Sequence, residues 1–410
     1  MSRHTRRRSK SQVRMTVAGA GILASAAVAT TVAIASAGEA PRAHEGATAT
    51  TKSARAGADH AVFVQGNELA GNTIRVFRRG DDGKLTAAGS YATGGKGGDQ
   101  VDAPTDSLAS QGSLVYDRGS HLLLAVNAGS GTVTSFRVEG QKLTNRRVVR
   151  SGGDFPSSVA VSGNLAYVMN AGGAGSVQGF RITAGGLVPL SGSYRSLGLR
   201  NDKVPLFSSS PGQVAFTPGG RELVVTTKSA NTIEVFPIHR DGRPAHRAKV
   251  NRSAGGVPFA ITFDKAGRML VAEAEKSTVS TYKVLADGGL KVVQEPLPNG
   301  QNTLCWLERA GDFFYGGNTG NSTVTGYRTD RHGRLALTNE IGIATPPSAM
   351  SQGVIDLAVT RDEKFLYVQN GTSGTVDGFR IGANGSLTKV TTVTGGPPFA
   401  ESGMEGIAAV

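Results

Sequence analysis

"NAGSGTVTSF", residues 127–136, is a polar turn running into an alternating strand, and much of it returns as "NTGNSTVTGY" (318–327) and "NGTSGTVDGF" (370–379). Aligned on its closing aromatic, the phrase occurs seven times: "GNTIRVF" ending at Phe77, "SGTVTSF" at Phe136, "AGSVQGF" at Phe180, "ANTIEVF" at Phe236, "KSTVSTY" at Tyr282, "NSTVTGY" at Tyr327 and "SGTVDGF" at Phe379. Neighbouring copies lie 59, 44, 56, 46, 45 and 52 residues apart. A strand-like repeat with a period of roughly 40–50 residues is the signature of a propeller blade.

The surroundings of each copy repeat too. An apolar run precedes the phrase, as in "LLLAV", "LAYVM", "ELVVT" and "FLYVQ". About six residues after the aromatic, most copies have a glycine turn such as Asp82-Gly83, Asp241-Gly242 or Asn384-Gly385, which supplies the positive φ that tight hairpins need. A third kind of run lies between copies: "SLVYD", "SSVAV", "GQVAF", "FAITF", "TLCWL", "VIDLAV". The spacing therefore predicts four strands per unit and no helical period. The body enters at "HAVFV", a second strand, and leaves at "MEGIAAV" (404–410), a first strand. A C-terminal inner strand completing the N-terminal blade would close the ring and leave no open sheet edge. The expectation is an all-β, seven-bladed β-propeller of four-stranded blades over residues 60–410. A β-sandwich array would not place one aromatic per period.

Composition narrows the functional classes. Glycine is abundant, 57 of 410 residues, without a triplet period, and reads as turn chemistry. The net charge of +13 is concentrated at the front: Arg3, Arg6, Arg7, Arg8, Lys10 and Arg14 precede any acid, and without these six the chain carries +7. No basic run interleaved with aromatics follows, so nucleic acid is not an expected partner. A basic start, the small apolar run 15–34 and Ala35-Ser36-Ala37 form a secretory signal with a cleavage site. Residues 1–37 are thus expected to be a signal peptide, by the Sec or the Tat route, and 38–59 a flexible leader. The protein is expected to be secreted, extracellular, monomeric and free of membrane after cleavage. The single cysteine, Cys305, lies in an apolar run and reads as a core thiol, with a nucleophile as the sharper alternative. The sequence points to no cofactor and leaves a bound metal open.

In such a ring the loops entering first strands and those following second strands share one face, here called the top. The extra residues of the long periods fall there, in 94–111, 191–211 and 339–353. Long loops on one rim are where binding concentrates. The positions following each second strand are Asn67, Asn127, Asn170, Thr227, Glu273, Asn318 and Asn370. They are expected to ring the channel mouth as ligand-binding groups, together with Glu405 at the start of the last inner strand. The plainer alternative is that each Asn caps its own loop. Glu273 is the acid among neutral members: a general base or cation ligand, or a salt-bridge partner of Lys228 or Lys276. Arg195, Arg200 and Lys203, in the second long loop, would add an anion-attracting rim. "GGKGGD" (94–99) lacks the Ser/Thr and helix of a phosphate loop and reads as a glycine-rich loop.

Stretches such as "TPGGRELVVTTKSANTIEVFPIHRDGR" (217–243) and "TRDEKFLYVQNGTSGTVDGFRIGANGSL" (360–387) carry a family cadence. The body resembles the lactonase-type seven-bladed propellers, which include bacterial phosphogluconolactonase and the fungal carboxymuconate-lactonising enzyme (a muconate cyclase). With "CWL" at 305–307 it looks like a secreted actinobacterial branch of them. The resemblance implies the propeller fold and a channel-mouth site of His, Glu and Arg, with inner strands opening on Pro-His. Here those places read Pro156-Ser157, Pro211-Gly212 and Pro258-Phe259, so the rim histidine is missing. Glu273 with Arg195 or Arg200 would be the catalytic candidates left. Two readings follow: a secreted module binding a small molecule, carbohydrate, peptide or cell-wall ligand at its top face, or an extracellular lactonase or lactonising enzyme acting on a sugar or aromatic-acid lactone.

Overall fold

A computed structural model describes residues 60–410. The expected signal peptide (1–37) and leader (38–59) lie outside the described residues. Alternation of apolar and polar residues along each repeat gives seven antiparallel sheets. From the inner to the outer strand, blade 1 is Met404–Ala409, Ala61–Gly66, Thr73–Arg79 and Leu85–Ala92. Blade 2 is Leu114–Asp117, Leu122–Asn127, Thr132–Glu139 and Lys142–Arg150. Blade 3 is Pro156–Ser162, Leu165–Asn170, Ser176–Thr183 and Gly186–Pro189, with the two-residue strand Arg195–Ser196 added along Ser176–Thr183. Blade 4 is Gln213–Phe216, Glu222–Thr226, Thr232–Pro237 and Lys249–Arg252. Blade 5 is Pro258–Phe263, Met269–Glu273, Thr278–Val284 and Leu290–Pro298. Blade 6 is Leu304–Ala310, Phe313–Asn318, Thr323–Thr329 and Leu335–Leu337, and blade 7 is Val354–Val359, Phe365–Asn370, Thr375–Ile381 and Leu387–Thr394.

The ring closes where the sequence places the closure. Val62 pairs with Ala409, Phe63 with Ala408 and Gly66 with Met404, across a bulge at Val64/Gln65. The Val410 amide donates to Ala61 O at 3.0 Å. The repeated aromatics, from Phe77 to Phe379, are all buried. They lie in the apolar layers between blades, as where Phe136, Leu123 and Leu143 of blade 2 cluster with Ala61, Phe63 and Val76 of blade 1. Burying one such ring contributes roughly 2–3 kcal/mol.

Three blade junctions share a second device. The hairpin glycines Gly83, Gly242 and Gly385 have φ of 86°, 85° and 80°. Each is seated against the second strand of the preceding blade: Gly83 under the Phe365 ring, Gly242 against Leu165 and Gly385 under Phe313. A tyrosine two residues further along that strand then donates to the glycine carbonyl. Tyr367 Oη reaches Gly83 O at 2.7 Å, Tyr167 reaches Gly242 O at 2.7 Å and Tyr315 reaches Gly385 O at 2.9 Å. Only glycine combines the left-handed φ with so close an approach.

Candidate functional site in the top face

The predicted ring residues are at the ends of second strands or just beyond, and their side chains are buried and hydrogen-bonded within the blade loops. Asn127 Nδ2 donates to Thr132 and Thr134, and its Oδ1 accepts from Asn72 and Thr93. Asn318 donates to Thr323 and Thr325, and Asn370 to Thr375 and Asp377. Asn170 donates to Ser176 Oγ and Ser151 O, and Thr227 donates to Thr232 O. Asn67 binds the backbone of Gly98 in both directions and also reaches Asp99 and Ser402. Each side chain holds a loop in shape, as the capping alternative has it.

Glu273 follows the same pattern with a charge. It is fully buried, and five donors converge on it: Ser253 Oγ at 2.6 Å, Gly255 N at 2.8 Å, Thr278 Oγ1 at 2.9 Å, Ser280 Oγ at 2.6 Å and Tyr282 Oη at 3.2 Å. Neither Lys228 nor Lys276 pairs with it among the described residues. Arg195 is engaged elsewhere. Its Nε donates to Ala245 O at 2.7 Å and the rest of the guanidinium to the carbonyls of Gly192, Tyr194 and Pro244. Arg200 is exposed. Glu273, Arg195 and Arg200 share neither a hydrogen bond nor a cavity lining among the described residues.

What occupies the channel mouth instead is the first long loop. Ser110 Oγ donates to Ser157 O in blade 3 at 2.7 Å, and the Gln111 amide to Gly212 O at the entry to blade 4 at 3.1 Å. In blade 6, Trp306 Nε1 reaches Ser110 O at 3.4 Å, and Leu307 N reaches Gln111 Oε1 at 3.0 Å. Leu108 N donates to Glu405 of blade 1 at 3.1 Å. A four-residue segment can touch inner strands of blades 1, 3, 4 and 6 only by crossing the axis. The second long loop clasps the first: Val101 N donates to Pro205 O at 3.0 Å and Phe207 N to Val101 O at 2.9 Å.

Lys228 is sealed beneath these loops. Its ammonium donates to Phe207 O at 2.7 Å and Ala109 O at 3.0 Å, and sits 5.0 Å from the Phe207 ring and 5.4 Å from the Phe259 ring. Burial lowers this amine to about 7. The neighbouring Cys305 thiol is pushed up to about 12 by burial, which fits the core thiol expected from sequence. Burial also raises the carboxyls of Asp106 and Glu405, and for Glu405 the Asp106 charge adds to the effect. Glu405, which accepts from Leu108 N, thus belongs to the stopper that the 108–111 segment forms across the channel mouth. Below it, a cavity of about 240 Å³ is lined by Gln111, Gln213, Glu308 and Asp356 among inner-strand side chains. Burial pushes Glu308 up to about 7 and raises Asp356, which the Glu308 charge raises further.

An open space on the top face lies off the axis. A groove of about 610 Å³ runs between the loops of blades 1, 2 and 3. Its walls are glycines (Gly98, Gly129, Gly131, Gly152, Gly153), and its charged groups are Asp99, Arg150, Asp154 and Lys203. Lys203 lies 3.7 Å from Asp154, with both side chains more than half exposed. The amides of Gly152 and Gly153 donate to no acceptor among the described residues. Of the residues expected at the rim, the structure brings Lys203 here. Sequence reading passes over Asp99 and Asp154, although both end a Gly-Gly-Asp triplet, at 97–99 and 152–154. Among the described residues no group of three or more His, Cys, Asp or Glu is placed to hold a metal ion, and no helix is long and apolar enough to cross a membrane.

Comparison with known proteins agrees with this architecture. No curated protein matches the chain. Among solved structures, a protein from Lactobacillus plantarum is 17% identical with a TM-score of 0.65, over 84% of this chain and 98% of that one. A periplasmic gluconolactonase from Pseudomonas aeruginosa is 18% identical with a TM-score of 0.62, over 85% and 98%. A candidate 6-phosphogluconolactonase from Bacteroides uniformis is 17% identical with a TM-score of 0.62, over 82% and 97%. At such identities the likeness is one of fold. The model of the seven-bladed β-propeller lactonase family matches residues 100–397, most of the described body, and the chain therefore belongs to that family.

Proposed function

We propose that this lactonase-family propeller is a binding protein, taking a sugar acid or its lactone in the top groove without turning it over. The observation that carries this reading is the closed mouth of the channel. Lys228, Phe259, Trp306 and the 108–111 segment fill the axial position, and Glu273 and Arg195 are committed to partners within the fold. The groove offers chemistry suited to a polyhydroxylated acid. Asp99 and Asp154 can accept from hydroxyls, Arg150 and Lys203 can pair with a carboxylate or phosphate, and glycine walls let a ring approach the backbone. Its volume lies in the range of small-molecule sites. With residues 1–37 read as an export signal, the ligand is met outside the cell, by a monomer that needs no cofactor.

A second reading uses the same groove for lactone hydrolysis. The unpartnered amides of Gly152 and Gly153 next to Asp154 favour it, because a carboxylate base and two backbone donors are what water attack on a lactone carbonyl requires. The test is calorimetric titration of D-gluconate and D-glucono-δ-lactone, with acid release followed in parallel, on the parent protein, Asp154→Asn and Lys203→Met. Binding that is lost in the variants, with no acid release above buffer, supports the binding protein. Release abolished by Asp154→Asn supports the hydrolase. Binding or release indifferent to both substitutions removes the groove from either role.

A further inference from the structure

Blade 6 ends early. Its outer strand spans three residues, Leu335–Leu337, against eight in blade 7. The chain leaves the sheet through 338–353 and returns to its edge at a bridge between Thr345 and Val324. Pro346 and Pro347 follow, and proline has no N–H with which to extend a ladder. Where an outer strand would cover the junction of blades 6 and 7, a cleft of about 240 Å³ is left. Val324, Val354, Val368, Phe379 and Leu387 give it an apolar wall.

Seven polar side chains share the lining, among them Asp377, Lys389 and Ser351. Asp377 is 4% exposed and accepts from Thr392 Oγ1 at 2.6 Å, Lys389 Nζ at 2.8 Å and Asn370 Nδ2 at 3.4 Å. Ser351, also 4% exposed, lines the same cleft, and its buried hydroxyl has no hydrogen-bond partner among the described residues. A buried hydroxyl left unpaired is costly, and such a group in a native fold calls for a reason. The Asp377–Lys389 pair is neutral as a unit. An anion entering the cleft would meet Asp377, and a cation would compete with Lys389. What the cleft still offers are chiefly hydrogens: from the ammonium, from the Ser351 hydroxyl, and from Ser348 and Thr345, whose oxygens accept from Met350 N and Val324 N.

We propose that the cleft between blades 6 and 7 is a binding site for a small neutral molecule with an apolar ring or chain and one carbonyl-type acceptor, its oxygen directed to Ser351 and Lys389. This site is separate from the top groove and does not depend on the function assigned there. The test is a fluorine NMR titration with 4-fluoroacetophenone, and with fluorobenzene as the probe lacking the acceptor. Saturable binding of the ketone is expected, about tenfold tighter than fluorobenzene. Ser351→Ala, which removes an unpaired hydroxyl and keeps the fold, should weaken the ketone about three- to tenfold and leave fluorobenzene unchanged. Ala344→Phe, which fills the cleft, should abolish binding of both while far-ultraviolet circular dichroism is retained. Absence of saturable ketone binding, equal affinity for the two probes, or binding that survives in a folded Ala344→Phe protein would overturn the proposal. If Ala344→Phe does not fold, the Ser351→Ala comparison decides alone.

Discussion

Replacing Gly83 by alanine tests how the ring is locked. Gly83 has φ of 86°, and a Cβ there would overlap the Phe365 ring of blade 7. The left-handed backbone costs a non-glycine residue about 1–2 kcal/mol. Displacing a packed ring that is itself fully buried costs a further 1–3 kcal/mol or so. The Tyr367 bond to Gly83 O would be strained as well. The sum is a loss of roughly 2–5 kcal/mol. Unfolding entropy is about 2.1 cal/mol/K per residue, so for a body of some 350 residues the melting temperature should fall by roughly 3–7 °C. Differential scanning calorimetry at fixed scan rate reads this directly. Tyr367→Phe should cost about 1 kcal/mol by itself and less in the Gly83→Ala background, because the two changes act on one contact. A Gly83→Ala protein melting within about 1 °C of the parent, well below that range, would refute the seating of the blade 1 hairpin on blade 7.

Three further outcomes are expected. Deleting Met404–Val410 removes the inner strand of blade 1 and uncovers Val62 and Val64, so cooperative melting should be lost, and retention of the parent transition would contradict the closure. Glu273→Gln turns an amide toward groups that all donate. It should destabilise the fold by about 2–3 kcal/mol in urea titrations while gluconate binding stays unchanged. Burial pushes Glu234 up to about 7, so the folded state holds that proton more tightly than the unfolded chain does. Its contribution is full below the ordinary carboxyl range and is lost as pH rises through about 7. Glu234→Gln should therefore gain on the parent by on the order of 3 kcal/mol at about pH 8 and differ little near pH 4, measured by denaturant unfolding at both values.

The fold was legible because it is written seven times. The period-locked aromatics and the glycine hairpins report the same interblade layers from two directions, and the unmatched first and last strands report the closure. The site was less legible, for a physical reason. A residue's position in a repeat shows which loop it enters and not how many donors await it there. Glu273 looks free in the sequence, yet Thr278 and Ser280 stand five and seven residues on, in the same slots as Thr132 and Thr134 after Asn127 and Thr323 and Thr325 after Asn318. That shared spacing is the signal that these side chains cap their own hairpins. The stopper had no such signal. The contacts of Gln111 with Leu307 and of Lys228 with Ala109 span more than a hundred residues, and each needs the first long loop, which lies outside the repeat. Arg195 stands out in the sequence by its charge, but its place along Ser176–Thr183 directs the guanidinium to the carbonyls of Pro244 and Ala245.

The most direct measurement of the functional account is hydrogen–deuterium exchange with and without D-gluconate. Ligand in the groove should slow exchange in 97–99, 128–131, 150–155 and 203–204. Slowing confined to the channel mouth, at 108–111, 157–159 and 304–308, would contradict a closed axis and return the site to the centre of the ring.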